Sequence, residues 1–203
     1  MLEEAGCKVI YGMENFKCHS KLCLITLQDK SGTHYITQVG TGNYNDSTAK
    51  IYTDVGLFTC NSQYGADASS LFNVITGYSR PPEYRHFVVA PHGMRAFFRR
   101  MIQNETENAK KGLPSGITAK VNSLVDPEII SLLYEASQAG VPVKLVVRGI
   151  CCLIPGLEGV SENITVISIV GQLLEHSRVF KFENAGNPKI YMGSADWMPR
   201  NLD

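Results

Sequence analysis

One pattern occurs twice in this chain and constrains its fold more than any other feature. His19-Ser-Lys21 leads into an apolar stretch, a Gly-containing turn, a second β-patterned stretch and then Gly40-Thr41-Gly42-Asn43. His176-Ser-Arg178 leads in the same way through Val179–Phe182, the turn Asn184–Pro188 and Ile190–Met192 to Gly193-Ser194-Ala195-Asp196. The step from His to Gly is 21 residues in the first copy and 17 in the second, a difference that a hairpin turn absorbs cheaply. A duplicated hairpin of this kind implies two related halves. In each half a histidine, a cation two residues on, a hydroxyl and an Asn or Asp are placed to converge at one end of the hairpin, because residues two apart share a strand face.

The segments between the copies read as α/β. Lys21–Leu27 and Tyr35–Val39 form the first hairpin around the turn 28–33. Ala66–Tyr78 is expected as a helix, and Pro81-Pro82 marks the best boundary. Beyond it come a strand at Phe87–Ala90, a polar amphipathic helix from Pro91 to Lys111 closed by Gly112, and a strand at Ile117–Val121. Asp126-Pro127-Glu128 is a strong helix start, combining an N-cap, a first-turn proline and an acid at the positive dipole end. Ile129, Ile130, Leu132, Leu133 and Ala136 give that helix its core face, and Gly140 ends it. Val141–Val147 and Ile164–Val170 follow as strands. Such strand–helix–strand units pair in parallel through right-handed crossovers.

Composition narrows the function classes. The 19 basic and 19 acidic side chains cancel, so no global field recruits nucleic acid or an anionic membrane, and a polyanion would need a local basic pocket. The six cysteines, at 7, 18, 23, 60, 151 and 152, show no zinc spacing and read as free thiols of a reducing cytoplasm. No apolar run approaches the ~20 residues of a membrane span. The opening residues, Met1 to Ile10, read as a helix tail, a Gly stop and a strand, the middle of an α/β unit. The expectation is a fragment, truncated at both ends.

The repeated grouping suits phosphoryl transfer through histidine. A neutral imidazole is the nucleophile, Lys21 or Arg178 offsets phosphoryl charge, and Asn43 or Asp196 orients the ring. Gly40 and Gly42 let the backbone approach a phosphate. Arg148, ending a buried strand, is placed where open parallel sheets put ligand contacts and offers a bidentate fork. Tyr52 suits stacking on a base or donation to a phosphate. Trp197 reads as a packing anchor, and Arg99-Arg100 with Lys110-Lys111 as a solvated helix face.

Taken with the blocks Gly40-Thr-Gly-Asn-Tyr-Asn45, Tyr52-Thr-Asp54, Leu71-Phe-Asn73, Thr76-Gly-Tyr78, Lys120-Val-Asn-Ser-Leu-Val-Asp126, Leu133-Tyr-Glu-Ala-Ser137, Val147-Arg-Gly-Ile-Cys-Cys-Leu153, Leu174-Glu-His-Ser-Arg178 and Gly193–Asp203, the chain resembles the phospholipase D superfamily. Within it, the chain is similar to polyphosphate kinases of the histidine-phosphorylated type. The resemblance implies two phospholipase D-like halves, each a mixed, mostly parallel sheet flanked by helices, with the active site between them. Residues 1–80 would belong to the first catalytic domain and 81–203 to the second. It implies His19 as the phosphohistidine, Tyr52, Arg148 and His176 as ATP contacts, and reversible transfer between Mg·ATP and polyphosphate. It also implies a homo-oligomer in the full-length protein. The family's metal-linked arginines lie upstream of its first motif, so no metal ligand is assigned here, and the fragment is expected to fold without being active by itself. Gln172 stands where the family usually has arginine, weakening one anion contact. A phosphodiesterase of the same superfamily is the chief rival, and a non-catalytic polyphosphate-binding or oligomerisation module is the other.

Overall fold

The computed structural model describes residues 2–12, 17–77 and 79–203. Met1 of the expected helix tail and Tyr78 of the expected helix and motif lie outside the described residues. The fold is mixed α/β, in two compact units. One contains residues 1–38 and 58–87, the other 39–57 and 88–203.

In the first unit, β1 (Leu22–Asp29) and β2 (Gly32–Gly40) form a hairpin across the two-residue turn Lys30-Ser31. In the chain β2 is followed by the short helix α1 (Asp46–Ala49) and β3 (Tyr52–Thr53), both of which fall in the second unit, and then by β4 (Gly56–Thr59), and the sheet order is β1-β2-β4. Helix α2 (Ser62–Ile75) starts earlier than expected because Asn61 caps it, its side chain accepting from Gln63 N at 2.9 Å. Gly65 is buried in α2, and a Cβ there would lie 2.5 Å from Tyr35 Cδ2 with Tyr35 Cβ and Cγ nearer still. The helix therefore needs a glycine to lie this close to the sheet. Buried Asp67, on the same helix, accepts from the backbone N–H groups of Arg85, His86 and Phe87 at 3.1, 2.7 and 3.0 Å. Those bonds take up the donors of residues 85–87, so the first donor of the strand expected at Phe87–Ala90 is already used, and no strand forms there.

The second unit is built on a five-stranded sheet. Its elements are α3 (Met94–Lys110), β5 (Ile117–Val121), α4 (Pro127–Gln138), β6 (Val143–Val147), β7 (Ile164–Ile167), β8 (Leu174–Glu175), β9 (Arg178–Phe182), β10 (Lys189–Gly193) and α5 (Pro199–Leu202), in sheet order β10-β9-β5-β6-β7. β5, β6 and β7 are parallel, while β9 runs antiparallel to both β5 and β10, so the sheet is mixed. β5 and β6 alternate buried and non-buried residues, the signature of a sheet with one face covered. The buried set Ile117, Ala119, Val121, Val143, Leu145, Val147, Phe180 and Phe182 forms one core with Phe97, Phe98 and Ile102 of α3 and Ile129, Leu132, Leu133 and Ala136 of α4. Trp197 is fully buried and packs edge-on to Phe98 with ring centroids 5.6 Å apart, the packing anchor expected. Asp126 caps α4, accepting from Ile129 N at 3.0 Å. Glu105 is buried within α3 and accepts from Gly116 N at 2.9 Å and Asn184 N at 2.7 Å, tying the helix to the entry of β5 and to the β9–β10 turn.

The two hairpins differ in a way the repeat spacing did not anticipate. β1 and β2 have 8 and 9 residues around a tight turn, whereas β9 and β10 have 5 each around the longer turn holding the 3-10 segment Asn184–Gly186. The extra residues of the first copy lie in its strands, not in its turn.

Candidate active site

Sheet register brings four chain segments to one edge of the second unit. β5 and β6, being parallel and in register at Val121↔Val147, end together, so Asn122 and Arg148 leave the sheet side by side. β9 runs the other way and begins at that edge, and β10 ends there opposite it, with Gly193 facing Arg178. Ligand contacts in sheets with parallel strands gather at this carboxyl end.

A fifth segment joins through β3, which pairs in parallel with β8 at Tyr52↔Leu174 and Thr53↔Glu175. The bond from His176 N to Thr53 O, 3.1 Å, continues that ladder. It sets Asp54 beside the imidazole of His176, with Nδ1 2.8 Å from Asp54 Oδ1. The same carboxylate oxygen accepts from Thr41 Oγ1 at 2.7 Å, and Thr41 N donates to Val55 O at 3.0 Å. Gly42 completes the cradle. A Cβ there would stand 2.5 Å from Asp54 Cγ and 2.8 Å from its Cβ, so no larger residue fits without displacing the carboxylate. The Tyr52 ring lies 4.8 Å from that of His176, tilted by 41°.

The other ring nitrogen of His176 faces a cation. Arg178 NH1 lies 3.0 Å from Nε2 and donates also to the backbone carbonyl of His176 at 2.8 Å. A guanidinium only donates, so Nε2 is the acceptor and the ring is the Nδ1–H tautomer, donating to Asp54. Arg178 is itself fixed by Asp196, which takes Nε at 3.3 Å and NH2 at 2.9 Å. Asp196 Oδ1 accepts further from the backbone N–H groups of Asn122 and Ser123 at 2.7 and 3.2 Å. Asp196 therefore orients Arg178 directly and the histidine through it. Lys120 clamps the residues either side of His176, donating to Ser177 Oγ at 2.7 Å and Ser177 O at 3.1 Å and pairing with Glu175 at 3.2 Å.

Arg148 joins this cluster differently. Its Nε donates to Asn122 Oδ1 at 3.2 Å, and among the described residues that is the guanidinium's one hydrogen bond. Asn43 is exposed, with its carbonyl accepting from Asn45 N at 2.9 Å. Gln172 is exposed as well.

In the first unit, His19 and Lys21 lie just before β1 rather than on the strand. Lys21 is buried, and its Nζ donates to the backbone carbonyl of His19 at 2.6 Å. That contact repeats the one from Arg178 to His176 O, so each motif closes the same short loop from cation to histidine carbonyl.

Among the expected site residues, the structure gathers His176, Arg178, Asp196 and Tyr52 into one cluster, attaches Arg148 through Asn122, and pairs Lys21 with His19. Thr41, Asp54, Lys120 and Asn122 were not singled out. All four stand in the sequence blocks quoted above, but only the register of β3 on β8 and β5 on β9 reveals what they touch. Among the described residues no three His, Cys, Asp or Glu side chains converge as a metal site. No helix among the described residues is long and apolar enough to cross a membrane.

Residues 1–81 match the family model described as polyphosphate kinase C-terminal domain 1, and residues 87–203 match polyphosphate kinase C-terminal domain 2. The chain is 51% identical over 202 residues to a polyphosphate kinase of Lactiplantibacillus plantarum, covering 100% of this chain and 28% of that protein. It is 53% identical over 201 residues to one of Synechocystis, covering 99% and 28%. The crystal structure of polyphosphate kinase from Porphyromonas gingivalis superposes with a TM-score of 0.90 at 37% identity, over 97% of this chain and 33% of that one. The chain thus spans under a third of the length of the curated relatives it matches, and over that span it belongs to the polyphosphate kinase family, as its two C-terminal domains.

Proposed function

We propose that this chain carries the catalytic histidines of an ATP:polyphosphate phosphotransferase, with His19 as the phosphoryl acceptor. In this reading residues 1–80 and 81–203 are two catalytic domains, each contributing one histidine, with segment 39–57 of the first counted in the second compact unit. The observation that carries the reading is the repeated tether, a cation held at the carbonyl of the histidine two residues before it, in both copies. Such a cation places positive charge beside the histidine, where it offsets charge on phosphoryl oxygens, which is where the catalysis of phosphoryl transfer resides.

In the proposed reaction an imidazole nitrogen of His19 attacks the γ-phosphorus of Mg·ATP. The bond from that phosphorus to the bridging oxygen breaks and ADP leaves. A terminal oxygen of polyphosphate then attacks the phosphoramidate, the P–N bond breaks, and His19 is regenerated; the reverse sequence makes ATP. Magnesium enters as part of the nucleotide substrate. His176, held at Nδ1 by Asp54 and at Nε2 by Arg178, steers the phosphates. Arg148, with its terminal amino groups outside any hydrogen bond among the described residues, binds them, and Tyr52 bounds the nucleotide. Asn43 serves the first motif. We assign ATP, ADP and polyphosphate as ligands rather than nucleic acid, and a cytoplasmic homo-oligomer as the full-length state.

Arg148 and Tyr52 favour transfer from a nucleotide over diester hydrolysis, which requires neither. The test is transfer of label from γ-labelled ATP with Mg²⁺ onto the full-length protein. An acid-labile, base-stable adduct that disappears in His19→Ala supports the reading. Hydrolysis of a diester reporter with no such adduct refutes it.

A further inference from the structure

We infer that Asn122 is a positioning residue for nucleotide binding, which sets the angle of Arg148 and indexes it against the cation beside His176; this rests on the proposed role of Arg148 at the ATP phosphates. The two arginines of this edge are used in opposite ways. Arg178 spends all three guanidinium nitrogens inside the protein, on Asp196, on His176 Nε2 and on the His176 carbonyl. Arg148 uses Nε alone, and no carboxylate pairs with it among the described residues. Its two terminal amino groups make no hydrogen bond among the described residues, which leaves the fork to take two oxygens of one phosphate.

A long side chain held at one point would still swing, and Asn122 restricts that motion from a fixed base. Asn122 is buried, and its backbone is anchored on both sides. Its N–H donates to Asp196 Oδ1 at 2.7 Å and its carbonyl accepts from Gly149 N at 2.7 Å. The second contact demands a residue without a side chain, since a Cβ at Gly149 would lie 2.8 Å from Asn122 O. One residue therefore touches both arginine systems, Arg148 through its amide oxygen and Arg178 through Asp196. An uncharged acceptor is the suitable partner. A carboxylate at this position would hold Nε equally well but would cancel the positive charge on which phosphate binding depends.

The experiment is a double-mutant cycle in the full-length kinase, with initial rates measured against Mg·ATP at saturating polyphosphate. Asn122→Ala is expected to raise KM for ATP by about fivefold to tenfold, less than the full worth of a charge-assisted hydrogen bond because the guanidinium is loosened rather than removed, with kcat changed less than about twofold. Arg148→Ala is expected to raise it further. The double variant should match Arg148→Ala within about twofold, because Asn122 acts through that guanidinium. Asn122→Asp, close to isosteric, guards against a folding defect and is expected to raise KM for ATP as well. Wild-type KM in Asn122→Asp, or effects that multiply in the double variant, overturns the inference. Wild-type KM in Arg148→Ala refutes instead the reading on which it rests. A raised KM in Arg148→Ala beside an unchanged one in Asn122→Ala sinks the role of Asn122 alone.

Discussion

Replacing Gly42 with alanine probes the His176 cradle without removing any group that bonds to the histidine. The new methyl would sit 2.5 Å from Asp54 Cγ and 2.8 Å from Asp54 Cβ, where unstrained carbon contacts lie at roughly 3.5–4.0 Å. Relief requires the carboxylate to retreat by about 1 Å, since the alternative is to move backbone held by the Thr41 N to Val55 O bond. A retreat of that size stretches the 2.8 Å contact from His176 Nδ1 beyond hydrogen-bonding range. It also strains the 2.7 Å bond from Thr41 Oγ1. A hydrogen bond to a charged acceptor contributes about 1.5–3 kcal/mol, which corresponds to a fall of roughly tenfold to a hundredfold in kcat if the ring loses its orientation. The assay is the proposed phosphoryl transfer between ATP and polyphosphate in the full-length protein, with KM for ATP measured alongside. Gly42→Ala should depress kcat while the thermal midpoint moves little, and in an Asp54→Asn background it should add less than about a further twofold. A Gly42→Ala enzyme with wild-type kcat, or a double variant whose losses multiply, would refute the reasoning that the glycine acts through Asp54.

The Arg95 cluster predicts an acid-sensitive second unit. Arg95 bonds Asp126 at 2.8 Å and Glu128 at 2.9 Å, and Asp203 at 2.6 Å, while Arg99 takes the other oxygen of Glu128 at 2.6 Å. Burial pushes the Asp126 carboxyl up, but the bonds from Arg95 and Ile129 N outweigh it and leave it below the ordinary 3.8. Arg99, seconded by Arg95, lowers Glu128 from 4.5, and Arg95 lowers Asp203. Carboxyls depressed in the folded state give stability that is full above their unfolded values and lost as pH falls through the folded ones. Thermal midpoints should therefore drop below about pH 4, and Arg95→Met should lower the midpoint at neutral pH and flatten that acid limb; an unchanged limb would show that these pairs do not act as a stability device. In the first unit, Gly65→Ala should destabilise by about 1–3 kcal/mol through collision with Tyr35, measured by urea unfolding, and Tyr35→Ala should recover part of that loss.

Local signals carried much of the second unit. β5 coincides with its expected span and α4 begins at the expected cap, because an N-cap, a first-turn proline and an unbroken apolar face all lie within a few residues of one another. The strand expected at Phe87–Ala90 is not formed, and part of the reason is non-local, since Asp67 takes the N–H of Phe87 and of the two residues before it. β3 and β8 were invisible for a related reason. Each is two residues long, and they pair across more than a hundred residues of sequence. Asp54 escaped notice for that reason, because the contact that makes it interesting spans 122 residues. Asp196 was expected to orient a histidine, and its bonds reach His176 only through Arg178 while also holding the β5 exit. Only the register of three strands decides between a direct contact and this one.

The loop from cation to histidine carbonyl has an evolutionary consequence. It closes within three consecutive residues, so the positive charge travels with the ring whenever the segment is copied, lengthened downstream or set on a different strand. The downstream hairpins have indeed diverged, with long strands in one copy and a long turn in the other, while the short loop survives even a change of cation from lysine to arginine. A part whose key geometry is internal to it can be inherited whole, leaving everything outside it open to remodelling.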